Sequence, residues 1–198
     1  MHRKNLSADE RRATTVQAVI ALAATHNPAD ITTGQIAAYM GVTQGALFRH
    51  FPDKESIWTA VMAWTADERL RRFDGLEGKD PIDTLREIFD AHIAFAAAYP
   101  GIPRIVFGEL QRSEETPAKA RVKELMASYR TKITEQLADA RAHGLIAQST
   151  DLPAAATLFL GMIQGMVMQA MAADDFVAMP DMSRRLFPLF LTSLGARA

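Results

Sequence analysis

Apolar residues recur along nearly the whole chain three and four apart, the period of helices that bury one face. Ser7-Ala8-Asp9-Glu10 is a capping box, and the helix it opens carries Ala13, Val16, Ile20 and Ala23 before stopping near His26-Asn27-Pro28. From Thr32 to Lys54, TTGQIAAYMGVTQGALFRHFPDK, the pairs Ile36/Met40 and Leu47/Phe51 each share a face of a short helix. A longer helix then runs from Lys54 through Ile57, Val61, Met62, Trp64 and Leu70 toward Phe73, ended by Gly75 and Gly78. Asp80-Pro81 starts another, with Leu85, Ile88, Phe89, His92, Phe95, Ala96 and Tyr99 in helical register until Pro100-Gly101. Ile102 to Gln111 is a short apolar helix. Thr116-Pro117 opens the next, which His143-Gly144-Leu145 closes with a glycine cap. Leu152 to Ala173 is apolar nearly all round, and a last helix, Asp181 to Leu194, contains Pro188, which should kink it. No stretch alternates as a strand does, so the expected fold class is all-α.

The two short helices have the form of a helix-turn-helix. Gly41 lies where the first must end and the chain turn through a left-handed conformation, and Ala37 is small enough for the helices to cross closely. In that motif the second helix enters the DNA major groove. Here it should run from about Gln44 to Phe51, with Thr43 as N-cap. Gly45 and Ala46 let its N-terminus approach another surface. Leu47 and Phe51 face inward, leaving Gln44, Phe48, Arg49 and His50 outward or flanking. Glutamine and arginine read adenine and guanine edges bidentately. Pro52-Asp53 closes this helix and caps the next, placing Lys54 in a first turn, where a cation opposes the helix dipole unless an anion such as a phosphate is near.

Thr32, Ile36, Ala37, Gly41, Val42, Thr43, Gly45, Ala46, Leu47, Phe48, Phe51 and Lys54 together resemble the DNA-binding domain of the TetR family of bacterial transcriptional regulators. Gly34 stands where the family often has arginine, Ala46 where it has threonine and Phe48 where it has tyrosine, each removing a possible hydrogen bond to DNA. The resemblance implies about nine helices: a head over residues 1–53 and an effector-binding and dimerisation region over 54–198, joined by the helix from Lys54. It also implies a homodimer on a pseudo-palindromic operator in double-stranded DNA, most often as a repressor. The expected DNA-binding set is Thr32, Thr33, Thr43, Gln44, Gly45, Ala46, Phe48, Arg49, His50 and Lys54. Gln44 and Arg49 would meet base edges, and Thr32, Thr43, His50 and Lys54 phosphates.

Charge adds little to this picture. The chain's formal net charge is −1, and residues 1–56 hold six basic against five acidic residues, so dimerisation and local placement must do what bulk charge does not. Arg11 and Arg12 read equally as phosphate contacts and as a solvated face. The absence of cysteine excludes disulfides and thiolate chemistry. The five histidines lack metal-binding spacing, and neither a phosphate-cradling glycine loop nor a nucleophile elbow is present, so no enzyme, metal or cofactor is expected. An all-α enzyme or a helical protein-interaction module is the alternative. The polar N-terminus has no signal-peptide core, giving a cytoplasmic expectation.

The resemblance places a small, largely hydrophobic effector among His92, Phe95, Tyr99, Phe107, Glu109, Met126, Tyr129, Met162, Gln164 and Met166. Taken alone, His92 reads first as a satisfied core histidine, Glu109 as an internal ion-pair partner, and the methionines as core or as adaptable pocket lining. Leu152–Ala173 is long enough to cross a membrane, but Pro153, Gln164 and Gln169 interrupt it and acids flank it. The expectation is a helix buried on every side within the protein or its dimer. Gly161 and Gly165 would permit close helix contact, and the expected dimer surface is Leu158, Gly161, Gly165, Met168, Leu186, Phe187 and Phe190.

Overall fold

The computed structural model describes residues 7–73 and 80–196. The N-terminal arm with Arg3 and Lys4, and the helix end at Gly75 and Gly78, lie outside them. Nine α-helices and one 3-10 turn, Pro28–Asp30, make up the described residues, with no strand. They are α1 (Ala8–Thr25), α2 (Thr33–Tyr39), α3 (Gln44–Phe48), α4 (Lys54–Phe73), α5 (Pro81–Ala98), α6 (Gly101–Gln111), α7 (Pro117–Ala142), α8 (Leu152–Ala173) and α9 (Met179–Ser193). The chain divides into two compact units, Met1–Glu68 with Tyr99–Lys123, and Arg69–Ala98 with Glu124–Ala198.

Helix ends fall where their chemistry dictates. Ser7 accepts from the Glu10 backbone while the Glu10 carboxylate accepts from the Ser7 N–H, the reciprocal pair expected from the sequence. Asp80 Oδ1 accepts from Ile82 N at the start of α5. Gly144 takes φ +69° after α7, which leaves the N–H of Leu145 free to close on the Ala140 carbonyl at 2.9 Å.

In the first unit α1 buries Val16, Val19, Ile20 and Ala23, but Ala13 is exposed. The close partner of α1 is α6, and Gly101 makes that possible. A Cβ on Gly101 would lie 2.1 Å from the Ile20 carbonyl oxygen and 3.1 Å from the Ala23 Cβ. Gly101 is therefore more than the helix breaker its sequence context suggests. It lets the first turn of α6 lie directly on the backbone of α1.

The second unit is built around aromatic rings from α5, α8 and α9. Phe89 meets Phe159 and Phe187 at 5.3 and 5.5 Å, and Phe190 meets Phe159 at 5.5 Å. Edge-on and tilted contacts of this kind add to the area they bury. This overturns part of the expected dimer surface. Phe187 and Phe190 are each only 1% exposed, because α9 turns its aromatic face into its own chain. Ser183, also buried, donates to Asp90 Oδ1 at 2.6 Å and fixes α9 against α5. α8 is not buried on every side of this chain either: Leu158, Gly161, Gly165 and Met168 form an exposed stripe along it.

Candidate nucleic-acid interface

The Thr32–Lys54 stretch folds as two short helices around a glycine turn. Thr32 caps α2 and forms a capping box with Gln35. Gly41 adopts φ +64°, and the N–H groups of Gly41 and Val42 donate to the carbonyls of Ala38 and Ala37, both at 3.0 Å. That double closure satisfies the last carbonyls of α2 and sets where α3 begins. Thr43 then caps α3, its Oγ accepting from Ala46 N at 3.2 Å. Ile36, Ala37, Leu47 and Phe51 are buried as their spacing requires.

α3 is shorter than expected. It spans Gln44–Phe48, with Arg49 as its C-cap, and the turn persists through His50 and Phe51, whose N–H groups both donate to Leu47 O. Pro52 lacks the N–H needed to continue. Thr43, Gln44, Gly45, Phe48 and Arg49 are exposed on this short helix and its caps, with Ala46 and His50 half-buried. Gln44 Nε2 donates to Thr33 Oγ at 2.7 Å, tying the start of α3 to the start of α2. The structure thus brings Thr32, Thr33 and the α3 residues of the expected set together.

Lys54 is placed differently. Its ammonium donates to the Ala29 carbonyl at 2.9 Å and lies 4.8 Å from the centre of the Trp58 ring. Burial, followed by the charge of Arg112, holds its pKa below the usual lysine range, while Asp30 and Glu109 pull the other way. The cation in the first turn of α4 has found a carbonyl and a ring face in its own chain, which offset its opposition to the helix dipole.

Arg12 takes a role that neither a phosphate contact nor a solvated face describes. Its Nη1 donates to the His50 carbonyl at 2.8 Å, and its guanidinium lies 4.6 Å from the centre of the Phe51 ring. It therefore pins the C-terminal end of the α3 turn from α1, on the side where the dipole favours a cation. No local pattern could reveal this, because the partner lies 38 residues away. Replacing Arg12 with glutamine should lower stability by about 1 kcal/mol, the scale of an exposed charged hydrogen bond with a cation–π contact. DNA affinity should fall while its salt slope stays unchanged. A slope shallower by about one unit would instead make Arg12 a phosphate contact.

Residues 16–61 match the model of bacterial regulatory proteins, tetR family. Residues 78–168 match that of the tetracyclin repressor-like C-terminal domain. The chain belongs to the tetR family. Among its relatives is the nucleoid occlusion factor SlmA of Photobacterium profundum, 27% identical over 146 residues, 73% of this chain and 74% of that protein. Two solved structures share the tetR fold at lower identity. The fatty acid degradation regulator FadR from Bacillus halodurans has a TM-score of 0.78 at 18% identity, covering 94% of this chain and 97% of its own. The regulator FadR from Bacillus subtilis, solved in complex with stearoyl-CoA, has a TM-score of 0.74 at 17% identity, covering 90% and 97%.

The residues suggested as effector contacts by the tetR resemblance separate between the two units. Tyr99, Phe107 and Glu109 belong to the first. There Tyr99 packs edge-on against Trp64 at 5.2 Å. Glu109, 4% exposed, accepts from Thr116 Oγ at 2.9 Å and faces Arg112 Nη1 at 3.7 Å. Both carboxylate oxygens of Glu109 thus face internal partners.

His92, Phe95, Met126, Tyr129, Met162, Gln164 and Met166 belong to the second unit. His92 and Tyr129 meet at 5.3 Å with their rings tilted by 39°, and the Arg69 guanidinium lies 5.7 Å from the centre of the Tyr129 ring and donates to Ser128 Oγ at 3.0 Å. Phe95 faces the Arg72 guanidinium at 5.3 Å. Burial, then the charge of Arg69, lowers the His92 pKa from 6.5 to about 4, and burial raises that of Tyr129. Both rings are therefore neutral at pH 7. The unfolded chain binds a proton at His92 below pH 6.5 that the folded chain refuses until about pH 4, so stability should fall as pH drops through that window. Denaturant titrations at pH 7 and pH 4.5 should show this loss, and a His92→Gln variant should lose less. Equal losses in the two proteins would contradict the assignment.

Proposed function

We propose that this tetR-family regulator is a repressor that binds a pseudo-palindromic operator as a homodimer and is released by a small, largely hydrophobic effector. The observation that carries the DNA part is the exposed edge formed by Gln44, Phe48 and Arg49, set on a helix whose two ends are tied to α1 and α2. Gln44 and Arg49 are assigned to base edges. Thr32, Thr43 and His50 are assigned to phosphates, with Lys54 joining them on release from Ala29.

The exposed stripe on α8 and the half-buried Leu186 on α9 form the dimer face in this reading. Leu189, 65% exposed, and Met182, 41% exposed, extend it. Two heads then meet half-sites about 34–36 Å apart, or a small multiple of that. For the effector, Phe95, Met126, Met162 and Met166 supply apolar and deformable surface, and the His92–Tyr129–Arg69 cluster supplies orienting polar groups. The stearoyl-CoA of the Bacillus subtilis neighbour supports an amphipathic effector. α4 is continuous through the boundary between the units, so it carries the effector's influence to the head. Tenfold weaker DNA binding needs ~1.4 kcal/mol of coupling. A cytoplasmic location follows from this reading.

Selection of bound duplexes from a random DNA pool tests the proposal. The expected product is a two-fold-related site bound with strong salt dependence. Arg49→Ala should then cost ~1–3 kcal/mol at one position of each half-site and relax specificity there. A pool from which nothing is enriched would end the reading and favour a protein-interaction module.

A further inference from the structure

The first unit contains a cleft of about 540 Å³ walled by the Pro28–Asp30 turn, the first turn of α4, the C-terminal half of α6 and the start of α7. Two cations line it, Lys54 and Arg112. We propose that this cleft is a binding site for a small oxyanion, a carboxylate or phosphate group, held between Lys54 and Arg112. Nothing in this assignment rests on the operator or on an effector in the second unit.

Three observations carry it. The Lys54 ammonium has three N–H donors and, among the described residues, spends one, on Ala29 O. The Arg112 guanidinium faces Glu109 Oε1 at 3.7 Å and Glu114 Oε2 at 3.6 Å, ion-pair distances that are too long for hydrogen bonds. Both cations thus keep donors that an oxyanion would take up in charge-assisted bonds. Their mutual repulsion, with the burial of Lys54, disfavours the ammonium, and an anion between them would offset both costs.

The acids of the cleft fill that role only in part. Glu109 is held by Thr116, faces Arg112 and also favours the Lys54 ammonium, but by less than Arg112 disfavours it, and Glu55 is exposed, where water and salt screen it. Gly108 is the third observation. It lies in the C-terminal half of α6, where glycine is a weaker helix former than alanine, and a Cβ built there meets nothing within 4 Å. The missing side chain leaves the cleft open, with Trp58 and Ile105 as apolar wall for the body of an organic acid. An occupant would tie the first turn of α4 to the end of α6.

Titration calorimetry of the full chain with benzoate, inorganic phosphate and the neutral benzamide tests the site. At least one anion should bind saturably, and benzamide about tenfold more weakly than benzoate or not at all. Benzoate binding alone identifies a carboxylate site, phosphate alone a phosphate site. Arg112→Gln should weaken the bound anion about tenfold, and Gly108→Leu, which fills the cleft, should abolish binding. Should Gly108→Leu lose its helical circular dichroism, Arg112→Gln decides. The site is refuted if neither anion saturates, if benzamide matches benzoate, or if either folded variant binds the anion as the parent does.

Discussion

Arginine in place of Gly161 or Gly165 is expected to leave a folded monomer in sedimentation and to weaken operator binding by roughly 10²–10⁴-fold, the gain that linking two binding modules provides. The size of the effect follows from the head. With a recognition helix of Gln44–Phe48 and near-neutral charge, a single head gains little from phosphates or from groove contacts. The choice of site follows from α8. A Cβ at either glycine meets nothing within 4 Å, so the arginine extends into open space and tests the partner surface rather than the fold. At a homodimer interface it would bring two guanidiniums together in an apolar contact, a desolvation no nearby carboxylate on the stripe relieves. A variant that still sediments as a dimer and binds its operator normally would move the interface elsewhere.

Gly101→Val should be the most damaging single substitution for stability, at about 3 kcal/mol or more. Added atoms in a packed interior typically cost 1–3 kcal/mol when side chains can yield. Here the first contact is the Ile20 carbonyl oxygen at 2.1 Å, followed by the Ala24 nitrogen at 3.0 Å, and neither is free to rotate away. For a chain of this length such a loss lowers the melting temperature by roughly 6–12 °C. Gly101→Ala should do most of the same harm, since the Cβ alone makes the contact. Calorimetry showing either variant within 2 °C of the parent would mean that α6 can lift off α1 without penalty.

The helices and their ends were legible because local chemistry decides them. Ser7, Thr43, Asp80, Gly41 and Gly144 each act on groups within five residues, and such signals survive in one dimension. α8 has the limits its sequence sets, Leu152–Ala173, and its apolar character fits burial within the protein or its dimer, while its own chain leaves the stripe from Leu158 to Met168 exposed. Composition cannot say which face of an apolar helix its own chain covers. Phe187 and Phe190 failed for the same reason: their aromatic face was equally suited to a partner and to Phe89 and Phe159. The roles of Arg12, Lys54 and Gly101 depend on neighbours from 25 to more than 70 residues away, so spacing carried no trace of them. The shortening of α3 reflects Pro52, whose reach extended further back than helical periodicity suggested.

With Gln44 at a base edge as proposed, its bond to Thr33 would give the protein two ways of touching DNA. While it is closed, one N–H of the glutamine amide is occupied and its bidentate pairing with a base is withheld. Opening it forfeits a contact worth about 1 kcal/mol, which an adenine more than restores by offering both a donor and an acceptor, whereas another base offers a single bond in its place. Searching and recognising would then differ by one side-chain rotation. The rotation adds little to final affinity, but it leaves a wrong base with no net gain from the glutamine.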